Sequence, residues 1–333
     1  MDINNIILSS RIRLARNINN MPFPNKQNEL SANDVLDTVC GLTQNVLNFH
    51  TFKLRDLDEE KIAYYMENNI ISKDINLDYG GVAYSDDEVV SIMINEEDHI
   101  RMQCILTGLN LKKSYDIIND VDTEIMQNID FAYDNEWGFL TACPSNIGTG
   151  IRASVMMFLP ALTITGNLED ISKSLKNMGI TIRGSFGEGT ATEGYLYQIS
   201  NETTLGKSEK QIIQEVESAV LKLCDMESNV IEQIKNSNDI SLYDAILRAF
   251  GTLKYCYKLS SKEYYELAAL SKLGCELGLI GEEYIEIIDE LNYAVRPANL
   301  IELNGGYLGD NERDIYRAKI VSSRLNSIDN KDK

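Results

Sequence analysis

The sequence predicts an α+β domain followed by a smaller all-α domain, and three observations carry that reading. The first two thirds alternate β-branched apolar runs with stretches of helical spacing. From Ile212 onward apolar residues recur with helical period almost to the end. Between the two lies the polar stretch Asn236-Ser237-Asn238-Asp239, which sets the expected division at 1–236 and 237–333. A chain of 333 residues fits roughly two domains at about 150 residues each and is long enough to bury a core.

The elements follow in order. Val89-Val90-Ser91-Ile92-Met93-Ile94 is β-branched and apolar and reads as a buried strand, running into the acidic turn Asn95-Glu96-Glu97-Asp98. Residues 152–159 read as another strand, stopped by Pro160. Residues 168–178 have helical spacing and end at Gly179, a residue suited to a helix C-terminus. Thr181-Ile182-Arg183 and Tyr195-Leu196-Tyr197-Gln198-Ile199 read as strands flanking a glycine-rich loop. Ile212, Ile213, Val216, Val220, Leu221 and Leu223 open the helical part, followed by helices at 242–250, 261–274, 282–294 and 312–325. Five prolines, Pro22, Pro24, Pro144, Pro160 and Pro297, punctuate rather than fill linkers.

Composition narrows the function classes. Hydrophobic residues make up 44% and charged residues 25%, the balance of a soluble globular protein. No apolar run approaches the roughly 20 residues that span a bilayer, and Met1-Asp2-Ile3-Asn4-Asn5 lacks the start of a signal peptide. A cytoplasmic protein without membrane contact is expected. The net charge of -20 argues against direct nucleic-acid binding, which needs basic patches for phosphate. Cys40, Cys104, Cys143, Cys224, Cys256 and Cys275 form no C-x-x-C pair and read as reduced thiols. His50 and His99 are the only histidines, so no protein-held metal site is expected.

Several motifs could carry chemistry. Leu205-Gly206-Lys207-Ser208 resembles the end of a phosphate-binding loop, but Asn201 stands where its first glycine belongs. Ser208 with Gln211 reads instead as a capping box opening a helix. Phosphate could be held by arginines, whose planar forks donate paired hydrogen bonds. Arg11 and Arg13 lie two apart, on one side of an extended strand. Arg101 follows the acidic turn, Arg152 follows Gly148-Thr149-Gly150, and Arg183 precedes Gly184-Ser185-Phe186-Gly187-Glu188-Gly189. Taken singly, each also reads as a surface ion-pair residue. The acids of Asn95-Glu96-Glu97-Asp98-His99 could grip a cation or form a solvated turn. His99 reads as a structural, hydrogen-bonded residue. Cys143-Pro144-Ser145-Asn146-Ile147-Gly148-Thr149-Gly150 could offer a thiol and backbone N–H groups to a substrate, or be an inert cysteine before a turn.

Together these segments resemble the guanidino-kinase superfamily of creatine and arginine kinases. The resemblance rests on Ser9-Ser10-Arg11-Ile12-Arg13-Leu14-Ala15-Arg16-Asn17, Asn95 to Arg101, Cys143 to Val155, Arg183-Gly184-Ser185 with Glu188, and the stretch from Gln198 to Glu209. It is closer to the bacterial protein arginine kinases. Met156 stands where metabolite kinases usually have a histidine, and the arginine motif begins at Ser9 without the helical domain that precedes it in those enzymes. Arg313-Asp314-Ile315-Tyr316-Arg317-Ala318 resembles the family's R-D-x-x-R-A phosphoarginine-sensing motif, with Arg313 and Arg317 on one helix face able to clamp one phosphate. Asn68-Asn69-Ile70-Ile71-Ser72 departs from the family, which has a histidine before Leu-Ile-Ser near the adenine.

The resemblance implies a mainly antiparallel sheet flanked by helices, and transfer of the ATP γ-phosphoryl group to arginine side chains of proteins. By motif, Glu97 would be the base, Glu188 would hold the guanidinium, Glu96 would support it, and Cys143 would lie beside it as a thiolate. The nucleotide would contact Ser9 to Arg13, Arg101, Arg152, Ala153, Ser154, Val155, Met156, Arg183, Gly184, Ser185, Phe186, Gly187 and Glu188. Magnesium would be held mainly by ATP and water. Arg313, Asp314, Arg317 and Ala318 would bind phosphoarginine allosterically. Implied partners are proteins with exposed arginine, a zinc-binding activator, a stress-gene repressor, a Clp-type protease and a second copy of the chain. The modification would mark proteins for degradation and regulate a stress response. Two other readings stand beside this one: a phosphagen kinase acting on free arginine, and a catalytically weak adaptor or inhibitor of a transcription repressor.

Overall fold

The computed structural model describes residues 2–184 and 193–329. The helices are α1 (Ile3–Ile6), α2 (Glu29–Asn45), α3 (Glu59–Glu67), α4 (Leu111–Met126), α5 (Pro160–Ile164), α6 (Leu168–Lys176), α7 (Glu209–Ser237), α8 (Ile240–Tyr255), α9 (Ser261–Glu276), α10 (Tyr284–Ala294), α11 (Pro297–Asn304) and α12 (Asp310–Asp329). The strands are β1 (Ile7–Arg16), β2 (His50–Lys53), β3 (Gly81–Tyr84), β4 (Val90–Ile94), β5 (Ile100–Thr107), β6 (Tyr133–Asp134), β7 (Gly138–Phe139), β8 (Ile151–Phe158), β9 (Ile180–Gly184) and β10 (Leu196–Asn201). Eight of them form one sheet in the order β2-β3-β4-β5-β1-β8-β10-β9, with every neighbouring pair antiparallel. The sheet is thus antiparallel, as the resemblance implied.

Side-chain alternation decides which way each strand faces. In β1, Ile12 and Leu14 turn into the core while Arg11 and Arg13 turn to the other face. In β8, Ile151, Ala153 and Val155 join that core, and Arg152 and Met156 stand opposite them. The five residues of β4 are all buried, because both of its faces are covered. Ile92 and Ile94 face the main core, while Met93 packs on the other side with Tyr65, Ile70 and Ile71 from the end of α3 and the segment after it. That second layer explains the unbroken apolar run read in the sequence.

Helix α7 has 29 residues, about 43 Å at the helical rise, and packs across β8 and β10. It opens on the expected Ser208/Gln211 capping box, which removes Ser208 from any phosphate-binding loop. It ends at Asn238 in the left-handed conformation, and Asp239 then caps α8. Helices α8 to α12 form the helical C-terminal part. Two prolines do more than the sequence suggested. Pro160 and Pro297 each open a helix, α5 and α11, at a position where the missing N–H costs no hydrogen bond.

Candidate active site

The pairing register assembles the cations. Arg13 of β1 lies directly opposite Arg152 of β8, and Ala15 two residues on lies opposite Arg101 of β5. Arg183 of β9 pairs with Gln198 of β10, and Gln198 Oε1 accepts a 2.9 Å hydrogen bond from Arg11. Arg11, Arg13, Arg101, Arg152 and Arg183 therefore line one cleft of about 510 Å³, with Glu97 and Cys143 on the same wall system. That volume suits a nucleotide-sized ligand.

Like charges opposite one another in a sheet repel. Burial, then Arg101 and Arg152, lowers the Arg11 pKa to about 10. Burial and the same neighbours, with Arg11, push Arg13 down as well. Arg13 Nε is buried without a hydrogen-bond acceptor among the described residues. Such a cluster is stabilised by an anion with many oxygens, which a triphosphate supplies.

The acidic turn is held from several sides. Asn95 takes a positive φ of 54°, and its N–H donates to His99 O to close the turn. Its side chain reaches Ala32 O and Tyr79 O. Asp98 Oδ1 accepts from Asn17 Nδ2 at 2.6 Å and from Ala142 N at 2.7 Å, joining the end of β1, the turn and the approach to Cys143. Burial raises the Asp98 pKa despite these bonds. His99 is structural, as read: its Nδ1 accepts from Ile18 N, and its Nε2 donates to Pro22 O. Burial lowers its pKa, so the ring stays neutral.

Within the turn the two glutamates differ. Glu96 is held by Arg101 at 2.5 Å and by Ser72 Oγ at 2.7 Å. Burial raises its pKa, but Arg101, the Glu97 N–H and Ser72 more than offset that, so the net direction is down. Glu97 is exposed, faces the cleft and makes no side-chain hydrogen bond or ion pair among the described residues. Its carboxylate is available to a substrate.

The Cys143 loop is pinned by short bonds. Thr204 Oγ1 donates to Ser145 O and Ile147 O, and Gly148 exchanges hydrogen bonds with Phe139 of β7. At Gly150 the φ is +66°, and a Cβ there would lie 2.6 Å from Ala15 O, so a side chain would break the approach of the loop to β1. Cys143 Sγ is 3.1 Å from Ser145 Oγ.

The structure separates the remaining motif residues. Ser10 is buried and bonds Gly108 O and Asn110 N, away from the cleft. Ile12, Ala153 and Val155 are core residues. Strand alternation turns these three side chains to the face of the sheet opposite the cleft. Ser154 is buried and donates to Arg11 O. Ser9 lies opposite Met156, which in turn lies opposite Gln198, next to the cleft. Gly184 lines the cleft; Ser185, Phe186, Gly187 and Glu188 lie outside the described residues.

In α12, Arg317 is 1% exposed, and its guanidinium holds Val295 O, Leu259 O and Asp314. Arg313 binds Leu308 O and Asp310. Ala318 is a core residue. The pair is therefore engaged within the helical part rather than poised as an open clamp. The sequence reading passed over Gln198 and Asp98 as site residues, although both stood in the matched motifs; only the fold shows that they steer Arg11 and anchor the turn.

Residues 31–230 match the family model described as ATP:guanido phosphotransferase, C-terminal catalytic domain. The chain belongs to this family, whose phosphoryl donor is ATP. Residues 239–333 match the model described as Protein-arginine kinase McsB C-terminal domain. Curated proteins named protein-arginine kinase from Caldanaerobacter subterraneus subsp. tengcongensis and Bacillus subtilis are 41% and 37% identical to it, each over 96% of this chain and over 97% and 90% of those proteins. Among solved structures, lombricine kinase is similar at a TM-score of 0.61 and 27% identity, covering 68% of this chain and 67% of that one. The duplicated taurocyamine kinase from Schistosoma mansoni with bound transition state analog components gives 0.63 at 25% identity, over 79% of this chain and 39% of that one.

Proposed function

We infer that this chain is a protein-arginine kinase, transferring the γ-phosphoryl group of ATP to arginine side chains of proteins. The observation that carries the chemistry is the shared cleft, with five arginines from four strands of one sheet and an unengaged carboxylate, Glu97, beside them. The relatives' name supplies the substrate class.

In this mechanism Arg11, Arg13, Arg101, Arg152 and Arg183 hold the phosphates and meet the charge that spreads over the transferring group. No group of His, Cys, Asp and Glu suited to a metal occurs among the described residues. Mg²⁺, carried by ATP oxygens and water, would neutralise phosphate charge. The acceptor guanidinium is protonated and a poor nucleophile. Glu97 holds it and accepts the proton that leaves its nitrogen as the N–P bond forms and the bond from the γ-phosphorus to the bridging oxygen breaks, releasing ADP. Glu96 fixes Arg101, and Cys143 contacts the guanidinium; Glu188 is assigned its second carboxylate contact by motif. Arg313, Asp314, Arg317 and Ala318 are assigned a regulatory phosphoarginine site, reached by displacing the Arg317–Asp314 contact.

Mass spectrometry under non-acidic conditions tests this on an arginine-rich unfolded protein incubated with the chain and Mg-ATP. Phosphate on arginine side chains is expected, and Glu97→Gln should lower the rate by at least ~100-fold with normal folding. Phosphorylation of free arginine alone would return the chain to the metabolite kinases. Glu97→Gln activity within about twofold of wild type would remove the base assignment.

A further inference from the structure

Glu67 and residues 68–72, the stretch where the sequence departs from its family, span the gap between the helical C-terminal part and the acidic turn. Helix α11 opens on Pro297 and has no side-chain cap of its own. Its first free amides are capped from a distant element: Glu67, the last residue of α3, accepts from Ala298 N at 2.7 Å. Arg296 donates to the Glu67 carbonyl, and Asn68 Nδ2 donates to Asn299 Oδ1 at 2.9 Å. From the other side, Arg317 Nε holds Val295 O at 3.0 Å, fixing the turn that presents Arg296.

Four residues later the same segment reaches the site. Ser72 Oγ donates to Glu96 Oε1 at 2.7 Å, the oxygen that also accepts from Arg101. Asn69 O accepts from Gln103, the register partner of Arg13, and Ile70 O accepts from Ser91 at 3.2 Å. Ile70 and Ile71 are buried against Met93. A segment this short, seated on the sheet at one end and on α11 at the other, cannot shift at Glu67 without moving Ser72.

We propose that Glu67 and Asn68 are positioning residues, a clasp through which the seating of α11 sets the Ser72–Glu96–Arg101 geometry and so the rate of phosphoryl transfer. The proposal rests on the acidic turn being the catalytic one, which the Glu97→Gln comparison tests separately.

Steady-state kinetics of the full chain decide it. Glu67→Ala should lower kcat about tenfold while KM for Mg-ATP stays within about threefold, because displacement of a positioned group costs rate before binding. Glu67→Gln keeps one acceptor oxygen for Ala298 N–H and should recover most of the rate. Asn299→Ala, on the other side of the clasp and remote from the cleft, should also lower kcat, and by no more when combined with Asn68→Ala than alone. If Glu67→Ala fails to fold, the Asn68/Asn299 pair carries the test. Wild-type kcat in folded Asn68→Ala and Asn299→Ala proteins, or losses that multiply in the double variant, would overturn the proposal.

Discussion

At the scale of single residues, the site depends on cations that are costly to bury. Arg16 shows how the fold manages one outside the phosphate cluster. Its guanidinium is 3% exposed and pairs in two-pronged fashion with Asp122 of α4, at 2.7 and 3.1 Å. It also donates to Ala15 O and Thr149 O and lies 3.6 Å from the centre of the Phe139 ring. One side chain thus ties β1, α4, β7 and the Cys143 loop together. Removing its partner leaves a buried charge uncompensated, and such losses run at about 3–5 kcal/mol. Asp122→Ala is therefore expected to lower unfolding stability by that order in chemical denaturation. Asp122→Asn, which keeps one acceptor, should lose less. A change within experimental error for Asp122→Ala would show that solvent reaches Arg16.

At the scale of elements, two helices share one device. Helices α5 and α11 both begin with proline and lack a cap in their own sequence, and both take a carboxylate from far along the chain. For α5 it is Glu227 of α7, which accepts from Ala161 N at 2.7 Å and Leu162 N at 2.9 Å. Burial raises the Glu227 pKa from its ordinary 4.5 to about 7, against the lowering effect of the two amides. A carboxyl with a raised pKa in the folded state contributes stability that is full below about pH 4.5 and lost as pH rises through 7. Relative to Glu227→Gln, the wild type should then lose up to about 3 kcal/mol between pH 4.5 and 7.5. Denaturation of both proteins across that range checks this, and parallel curves would show that Glu227 stays ionised. Remote caps of this kind also mark what the sequence could not disclose. The buried run of β4, the helical period of α7 and the capping box at Ser208 are local patterns, and each was legible. Helix α11 was missed although Pro297 and Gly305 bracket it, because its eight residues are too few to show a helical period. In the site, the arginine and glutamate motifs were legible through family wording. The pairing of Arg13 with Arg152, and the engagement of Arg317 by Val295 O and Leu259 O, depend on register and packing that no local pattern encodes.

At the scale of the whole molecule, charge is divided unevenly. The chain carries a net charge of -20, yet five of its arginines turn into one cleft. The remaining surface is more acidic still than the net figure. Such a field attracts basic polypeptides, and arginine-rich segments are the substrates inferred here. The two substrates then meet different electrostatics. ATP enters a partly buried cluster, where added salt screens little; a protein substrate approaches over solvent-exposed charge, where screening grows as the Debye length falls from about 10 Å at 0.1 M to about 3 Å at 1 M. Raising ionic strength from about 0.05 to 0.5 M should therefore raise KM for an arginine-rich protein by about fivefold or more, while KM for Mg-ATP changes less. A short neutral peptide with a single arginine should show little of that dependence, because it presents too little charge for the outer field to gather. Equal salt sensitivity of KM for both substrates would place the effect in the cleft itself, and would mean that the acidic exterior plays no part in selecting proteins.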